Sequence, residues 1–228
     1  MKIAELFYSI QGEGKLAGVP SAFVRTSGCP LSCHWCDTDH ARIATAGESM
    51  TVADIVEAIT DWPTRYAVVT GGEPMVQPDV VELTEILRDR GMHITVETAG
   101  VVFKPVACDL MSISPKLSNA APRDPGQQWQ ANHQETTWID LDCIQRLMAV
   151  CEYQLKFVVI SPEDLAEIEQ LLDQLGRPDP TNVLLMPEGT DRETLQERAT
   201  WLVDLCKQTG YRYCPRLQIE LFGHRRGV

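Results

Sequence analysis

The run YAVVTGGEP, residues 66–74, decides the fold. Tyr66–Thr70 is apolar and β-branched, as a buried strand is, and Gly71–Gly72 ends it in a turn. Working outward, short apolar runs alternate with amphipathic stretches. Upstream, Ala22–Arg25 is strand-like. Thr51–Ile59 opens on a plausible N-cap and repeats apolar residues at Val52, Ile55, Val56 and Ile59, a helical period. Downstream, Val80–Arg90 is predicted helical, with Leu83, Ile86 and Leu87 on one face and Gly91 closing it. Ile94–Glu97 and Leu110–Ser114 follow as strands, the second stopped by Pro115. Gln154–Ile160 is a strand, Pro162 to about Leu175 a helix closed by Gly176, and Val183–Met186 a strand halted by Pro187. Arg192–Thr209 is a long helix and Arg216–Leu221 a last strand.

Strands alternating with helices imply parallel pairing in an α/β protein. Six or seven strands and about four helices are too few for a closed eight-fold barrel. The expectation is a partial, open (β/α) barrel of about six parallel strands, in one domain over residues 1–228. Functional groups then belong at the C-terminal strand ends. The candidate motifs fall there: Thr70–Pro74, Glu97–Gly100, Ser114–Lys116 and Met186–Gly189 each follow a strand directly. The stretch 118–138 is polar, without apolar period, and is expected to be a surface insertion that covers the site, joins a dimer contact or is a plain loop.

Cys29, Cys33 and Cys36 stand in CPLSCHWC, a C-x3-C-x2-C spacing. Three thiolates in one loop suit zinc or iron–sulfur iron. The spacing fits a cluster with one iron left open, or a zinc loop closed by a distant ligand such as His34, His40 or another cysteine. Cys108, Cys143, Cys151, Cys206 and Cys214 lack ligand spacing and read as small buried hydrophobes.

The net charge of −12 argues against a nucleic-acid binder, which needs a basic face. No segment approaches the ~20 consecutive apolar residues of a membrane helix. MKIAELFYSIQGEG lacks the apolar core of a signal peptide. A cytoplasmic protein is expected, its cysteines present as thiols.

With these residues in hand, the resemblance is plain. The cysteine loop, with Trp35 before its last cysteine, resembles that of the radical S-adenosylmethionine (SAM) superfamily, and Gly71-Gly72-Glu73-Pro74 resembles the superfamily's GGEP motif. Phe7–Gly14 (FYSIQGEG), Gly18–Pro20, Phe23–Arg25, Cys36-Asp37-Thr38, Glu97–Gly100 (ETAG) and Ser114–Lys116 (SPK) are similar to one member family, the 7-carboxy-7-deazaguanine synthases. Glycyl-radical activating enzymes share the cluster loop and GGEP, and are the alternative within enzymes. A zinc-binding structural or interaction protein is the alternative outside them.

The resemblance implies a [4Fe–4S] cluster on Cys29, Cys33 and Cys36, with SAM on the fourth iron. One electron would cleave SAM to methionine and a 5′-deoxyadenosyl radical. That radical would take hydrogen from 6-carboxy-5,6,7,8-tetrahydropterin, which contracts, loses ammonia and gives 7-carboxy-7-deazaguanine. Trp35, Gly72, Glu73, Thr98, Ser114, Pro115, Lys116, Met186, Pro187, Glu188 and Gly189 would contact SAM. Ile10, Gln11, Gly12, Arg25 and Thr70 would contact the pterin, with Arg25 suited to a bidentate carboxylate contact. Thr38 matches the family's Mg²⁺-contacting threonine. A flavodoxin or ferredoxin would bring the electron, docking on Arg25, Arg42 or Lys15. A homodimer is expected from the open barrel edge. Gln218 departs from the histidine that the family often carries on its last strand, keeping hydrogen-bonding ability without charge.

Overall fold

The computed structural model describes residues 1–121 and 139–228. Its centre is a nine-stranded sheet: β1 (Lys2–Ile10), β2 (Pro20–Thr26), β3 (Glu48–Ser49), β4 (Tyr66–Gly71), β5 (His93–Thr98), β6 (Leu110–Ile113), β7 (Glu152–Val159), β8 (Val183–Pro187) and β9 (Arg212–Tyr213). The order is β3-β1-β2-β4-β5-β6-β7-β8-β9. From β2 to β9 every pairing is parallel, while β1 runs antiparallel to both β2 and β3. The sheet stays open, as the element count predicts.

The helices are α1 (Asp39–Arg42), α2 (Val52–Thr60), α3 (Val80–Asp89), α4 (Leu141–Met148), α5 (Asp164–Gln174), α6 (Arg192–Thr209) and α7 (Leu217–Phe222). Thr51 caps α2 in a capping box with Asp54. Asp191 caps α6 through the Thr194 amide, and Gly210, at φ +78°, ends it left-handed.

Strand parity divides the molecule. Along a strand, alternate side chains point to opposite faces. Ala22 and Val24, Ala67 and Val69, Ile94 and Val96, Met111 and Ile113, Leu155, Phe157 and Val159, and Val183 and Leu185 all join one apolar core. The buried stripes of α2 to α6 pack into that same core, among them Ile55, Leu83, Ile144, Leu171 and Leu202. The intervening residues therefore share the other face: Phe23 and Arg25, Val68 and Thr70, Thr95 and Glu97, Ser112, Gln154, Lys156 and Val158, and Leu184 and Met186.

Three expectations need correction. Arg216–Leu221 is not a strand: Arg216 precedes helix α7, and the last strand is the two-residue β9. β1 and α4 are additional to the predicted elements. Of the stretch 118–138, residues 122–138 lie outside the described residues. Its first turn, Ser118–Ala120, is packed structure rather than surface insertion: Ala120 is buried, and its carbonyl accepts the His34 amide at 3.1 Å.

Candidate active site

The cavity lies on the sheet face that the helices leave bare. Residues of one parity supply its wall, Arg25 from β2, Thr70 from β4, Glu97 from β5, Lys156 from β7 and Met186 from β8. Chain at the C-terminal strand ends supplies its rim.

The floor comes from the loop after β1. Residues 11–18 fold across the inner face, where the Lys15 amide donates to Gln154 Oε1 at 2.8 Å and the Gly14 amide to Cys214 Sγ at 3.1 Å. Gly14 has φ +77°, and a Cβ there would stand 2.3 Å from Gln154 Nε2, so only glycine lets the loop lie this low. Phe7 and Phe23 stack in this face with centroids 4.7 Å apart and planes 4° from parallel. The Arg25 guanidinium sits 5.3 Å above the Phe7 ring.

The cysteine loop closes one side. Its base is held by Gly28 N to Ala41 O at 2.8 Å and Cys29 N to Arg42 O at 3.0 Å. Cys29, Cys33 and Cys36 all line the cavity, whereas His34 is exposed and His40 is turned to Glu5 Oε2 at 3.2 Å. Among the described residues no three His, Cys, Asp or Glu side chains gather tightly enough for a single ion. Three thiols spread around one cavity suit a cluster, in which each thiolate takes its own iron. Burial pushes the Cys29 thiol up to about 12 and raises Cys33 and Cys36 as well. Thiolates there need a bound cation. Lys116 also faces them, 5.7 Å over the Trp35 ring and 2.8 Å from Ser114 Oγ.

The glycines of GGEP have a packing reason. A Cβ on Gly71 would meet Thr26 O at 2.2 Å, and one on Gly72 would meet Gly28 O at 2.3 Å. These contacts let β4 end flush against β2 and the cysteine loop. Gly72 lines the cavity but Glu73 does not. The Glu73 carboxylate is buried and accepts from Ala99 N at 2.8 Å, Thr98 Oγ1 at 2.8 Å and Met75 N at 3.1 Å. It ties two strand ends together, and a direct ammonium contact is not what its present position offers. Burial raises its carboxyl above the ordinary range against the pull of these donors.

Of the other candidate SAM contacts, Trp35, Thr98, Ser114, Lys116 and Met186 line the cavity. Pro115 and Pro187 are buried beside it, and Glu188 pairs with Arg198. The Gly189 carbonyl accepts from Arg216. The turn 187–189 thus builds the wall from behind. All five candidate pterin contacts, Ile10, Gln11, Gly12, Arg25 and Thr70, line the cavity, as does Thr38. Arg25 Nε stands 2.8 Å from Glu5 Oε2, but its N–H is not aimed at that oxygen, so the contact is an ion pair without a directed hydrogen bond. Its terminal nitrogens have no hydrogen-bond partner among the described residues. The Thr38 hydroxyl donates to Asp37 Oδ1 at 2.9 Å.

Four polar residues enter the site that were given no role in the sequence reading, although Glu97 and Glu13 stand in its motifs. Glu97 accepts from Thr70 Oγ1 at 2.8 Å and Gln11 Nε2 at 3.1 Å, orienting both. Lys156 donates to Glu13, which also accepts from Arg216 Nε at 3.2 Å and Gln218 Nε2 at 2.8 Å. Arg216 reaches on to Asp37, beside Cys36. Burial works against the Glu13 charge, but Lys156 and Arg216 outweigh it and hold the carboxyl well below the carboxylate range. Burial likewise opposes the Asp37 charge, and Arg216 overcomes it. A lysine inside an apolar strand (QLKFVV) was the available signal for Lys156, since such a charge is rarely buried unpaired. Gln218 lies in α7 rather than a strand. Its Oε1 is buried without a partner, and a Cβ at Gly12 would meet it at 1.8 Å.

Comparison with known proteins places this geometry. Residues 23–116 match the model of the radical SAM superfamily. The 7-carboxy-7-deazaguanine synthase of Halobacterium salinarum is 42% identical, covering 97% of this chain and 90% of the relative. That of Rhodopirellula baltica is 39% identical over 99% and 88%. The crystal structure of QueE from Escherichia coli superposes with a TM-score of 0.69 at 24% identity, covering 93% and 92% of the two chains, which bears on the fold.

Proposed function

The chain belongs to the 7-carboxy-7-deazaguanine synthase family of radical SAM enzymes, and on that premise we infer how its cavity works. It is a lyase that converts 6-carboxy-5,6,7,8-tetrahydropterin to 7-carboxy-7-deazaguanine with loss of ammonia. The observation that carries this reading is one cavity with three thiols on one side and Arg25, Gln11 and Thr70 on the other.

Cys29, Cys33 and Cys36 would hold a [4Fe–4S] cluster, which with bound SAM would supply the radical chemistry. The residues do the rest. Thr98, Ser114, Lys116 and Met186 line the same cavity as the cysteines and would contact SAM, with Lys116 offering a cation to its carboxylate. Arg25 presents its outer guanidinium edge to the pterin carboxylate, its inner edge being held by Glu5. Gln11 and Thr70, oriented by Glu97, face the polar edge of the ring, and the stacked Phe7 and Phe23 give a flat apolar surface. The floor loop keeps water from the lower side, which a radical site needs.

Finer features belong to the same proposal. Mg²⁺ is a hard ion that takes oxygen, and Thr38 with the substrate carboxylate would hold it. The electron comes from a reduced flavodoxin or ferredoxin. Of the three cations considered for its dock, Lys15 is bound to Glu152, Asn182 and the Tyr153 carbonyl; Arg25 and Arg42 both line the cavity, and of these two Arg42 is the exposed one, beside the cysteine loop. We read residues 1–228 as one radical SAM unit, acting as a homodimer in the cytoplasm. Eight free thiols favour that compartment, and no helix among the described residues is long and apolar enough to cross a membrane.

The test is turnover without oxygen, with the tetrahydropterin carboxylate, SAM, Mg²⁺ and a reductant. The expected result is ring-contracted product from a brown protein. Deoxyadenosine accumulating without that product would point to a radical SAM activase. Colourless protein with stoichiometric zinc would overturn both readings.

A further inference from the structure

Cys108 and Cys151 stand outside the cavity and its chemistry. Cys108 lies two residues before β6 and Cys151 immediately before β7. Parallel pairing of Leu110 with Glu152 sets Cys151 opposite Asp109, one residue from Cys108, at the N-terminal edge of the sheet, the end opposite the cluster loop. Their Sγ atoms are 2.8 Å apart, inside the van der Waals contact distance of two sulfurs. Neighbouring strands lie about 4.8 Å apart, within the Cα separation a disulfide spans.

The surroundings separate the roles of the two sulfurs. Cys108 is 3% exposed, and Arg88 Nη2 pins its carbonyl at 3.0 Å. Cys151 is half-buried and open to solvent, with its Sγ also 3.3 Å from Glu152 O. Their mutual contact lowers the Cys151 thiol below its ordinary value and raises that of Cys108. Arg88 and Asp109 are the charged groups that act on both. The more accessible sulfur is thus also the better nucleophile.

We propose that Cys108 and Cys151 form a reversible dithiol–disulfide site whose oxidant is a low-molecular-weight disulfide of the glutathione class. Cys151 thiolate attacks one sulfur of the small disulfide, breaking its S–S bond and releasing one thiolate. Cys108 then attacks the mixed disulfide at Cys151 Sγ and expels the second. The protein loses two electrons and two protons, and the small disulfide becomes two thiols. The new bond staples β6 to β7 across a sequence separation of 43. Cross-linking a loop of that length restricts the unfolded chain and stabilises the fold. The site responds to oxidant at the end of the sheet remote from the oxygen-sensitive cluster thiols.

The test uses holoprotein assembled without oxygen and incubated anaerobically with oxidised glutathione, then acid-quenched, alkylated and digested with trypsin. The expected result is the peptide 91–116 joined to 147–156, two fewer alkylatable thiols, and a Tm raised by about 5–10 °C. C151S should abolish the joined peptide and the Tm rise while keeping its iron. That variant is tolerable because Cys151 is half-buried, so the test does not depend on replacing buried Cys108. Recovery of both peptides unlinked would overturn the proposal. So would glutathione retained on Cys151 with Cys108 still free.

Discussion

Glu73 accepts the backbone N–H of Ala99 at 2.8 Å, joining the GGEP turn after β4 to the end of β5. The same carboxylate takes the Thr98 hydroxyl and the Met75 amide. E73A should strand these buried donors and destabilise the protein by about 2–4 kcal/mol. Urea denaturation measures the loss. SAM affinity should fall with it, since Thr98 and Ala99 line the cavity. Unchanged stability would mean that the clamp is not needed.

Cys33 is expected to be indispensable. C33A leaves two thiols on the cluster loop, and iron content and deoxyadenosine formation should both drop to background. Iron assay and chromatography of the SAM products decide it; retained cleavage would remove the three-thiol assignment.

Arg25 should separate substrate handling from SAM chemistry. Removing a guanidinium that grips a carboxylate costs about 2–3 kcal/mol, a 30- to 150-fold loss in kcat/KM for the pterin. R25A should leave uncoupled SAM cleavage within a few-fold of the parent. Equal loss of both activities would make Arg25 a structural partner of Glu5.

Glu13 should govern the acid limb of stability. Its folded pKa lies below the ordinary 4.5, so its stabilisation is complete above that pH and is lost as pH falls through the folded value. Lys156 is raised above 10.5, so its share is complete below that pH and lost as pH climbs through the raised value. The network is therefore at full strength between about pH 5 and 10. E13Q leaves Lys156 buried without its counter-charge, an expected loss of about 3–5 kcal/mol at pH 7. Denaturant titrations across pH should show a flatter acid limb in E13Q; an unaltered limb would assign it to other carboxylates.

Thr38 is tested by metal removal. Chelating Mg²⁺ should slow turnover and leave the cluster spectrum intact, and T38A should weaken the response to added Mg²⁺. Turnover indifferent to chelation would withdraw the assignment.

The alternation of strand and helix was legible because each element carries its own period and its own stop. The helix Arg192–Thr209 was expected over those residues and the structure has it there, with Asp191 as its cap and Gly210 ending it. The C-terminal run was misread as a strand because RLQIEL alternates as well as it coils. Six residues are too few for periodicity to choose. The choice falls to contacts, with Leu217 N bonded to the Gly12 carbonyl at 2.9 Å and Arg216 anchored on Asp37 and Glu13. β1 was hidden for a different reason. Its second half, Phe7–Ile10, was read as part of a motif, and an antiparallel strand added to a parallel sheet has no local mark.

What the residues determined by themselves was the parallel α/β frame, the thiol loop and the placing of motifs at strand ends, all set by short-range spacing and turn chemistry. Tertiary structure alone decided which charges meet. Glu13 and Lys156 are 143 positions apart, and Asp37 and Arg216 are 179. Strand parity turns Lys156 inward, and the loop after β1 carries Glu13 across the sheet to it. No local pattern encodes such a pairing, because burial makes each charge depend on a partner that only the closed fold brings near.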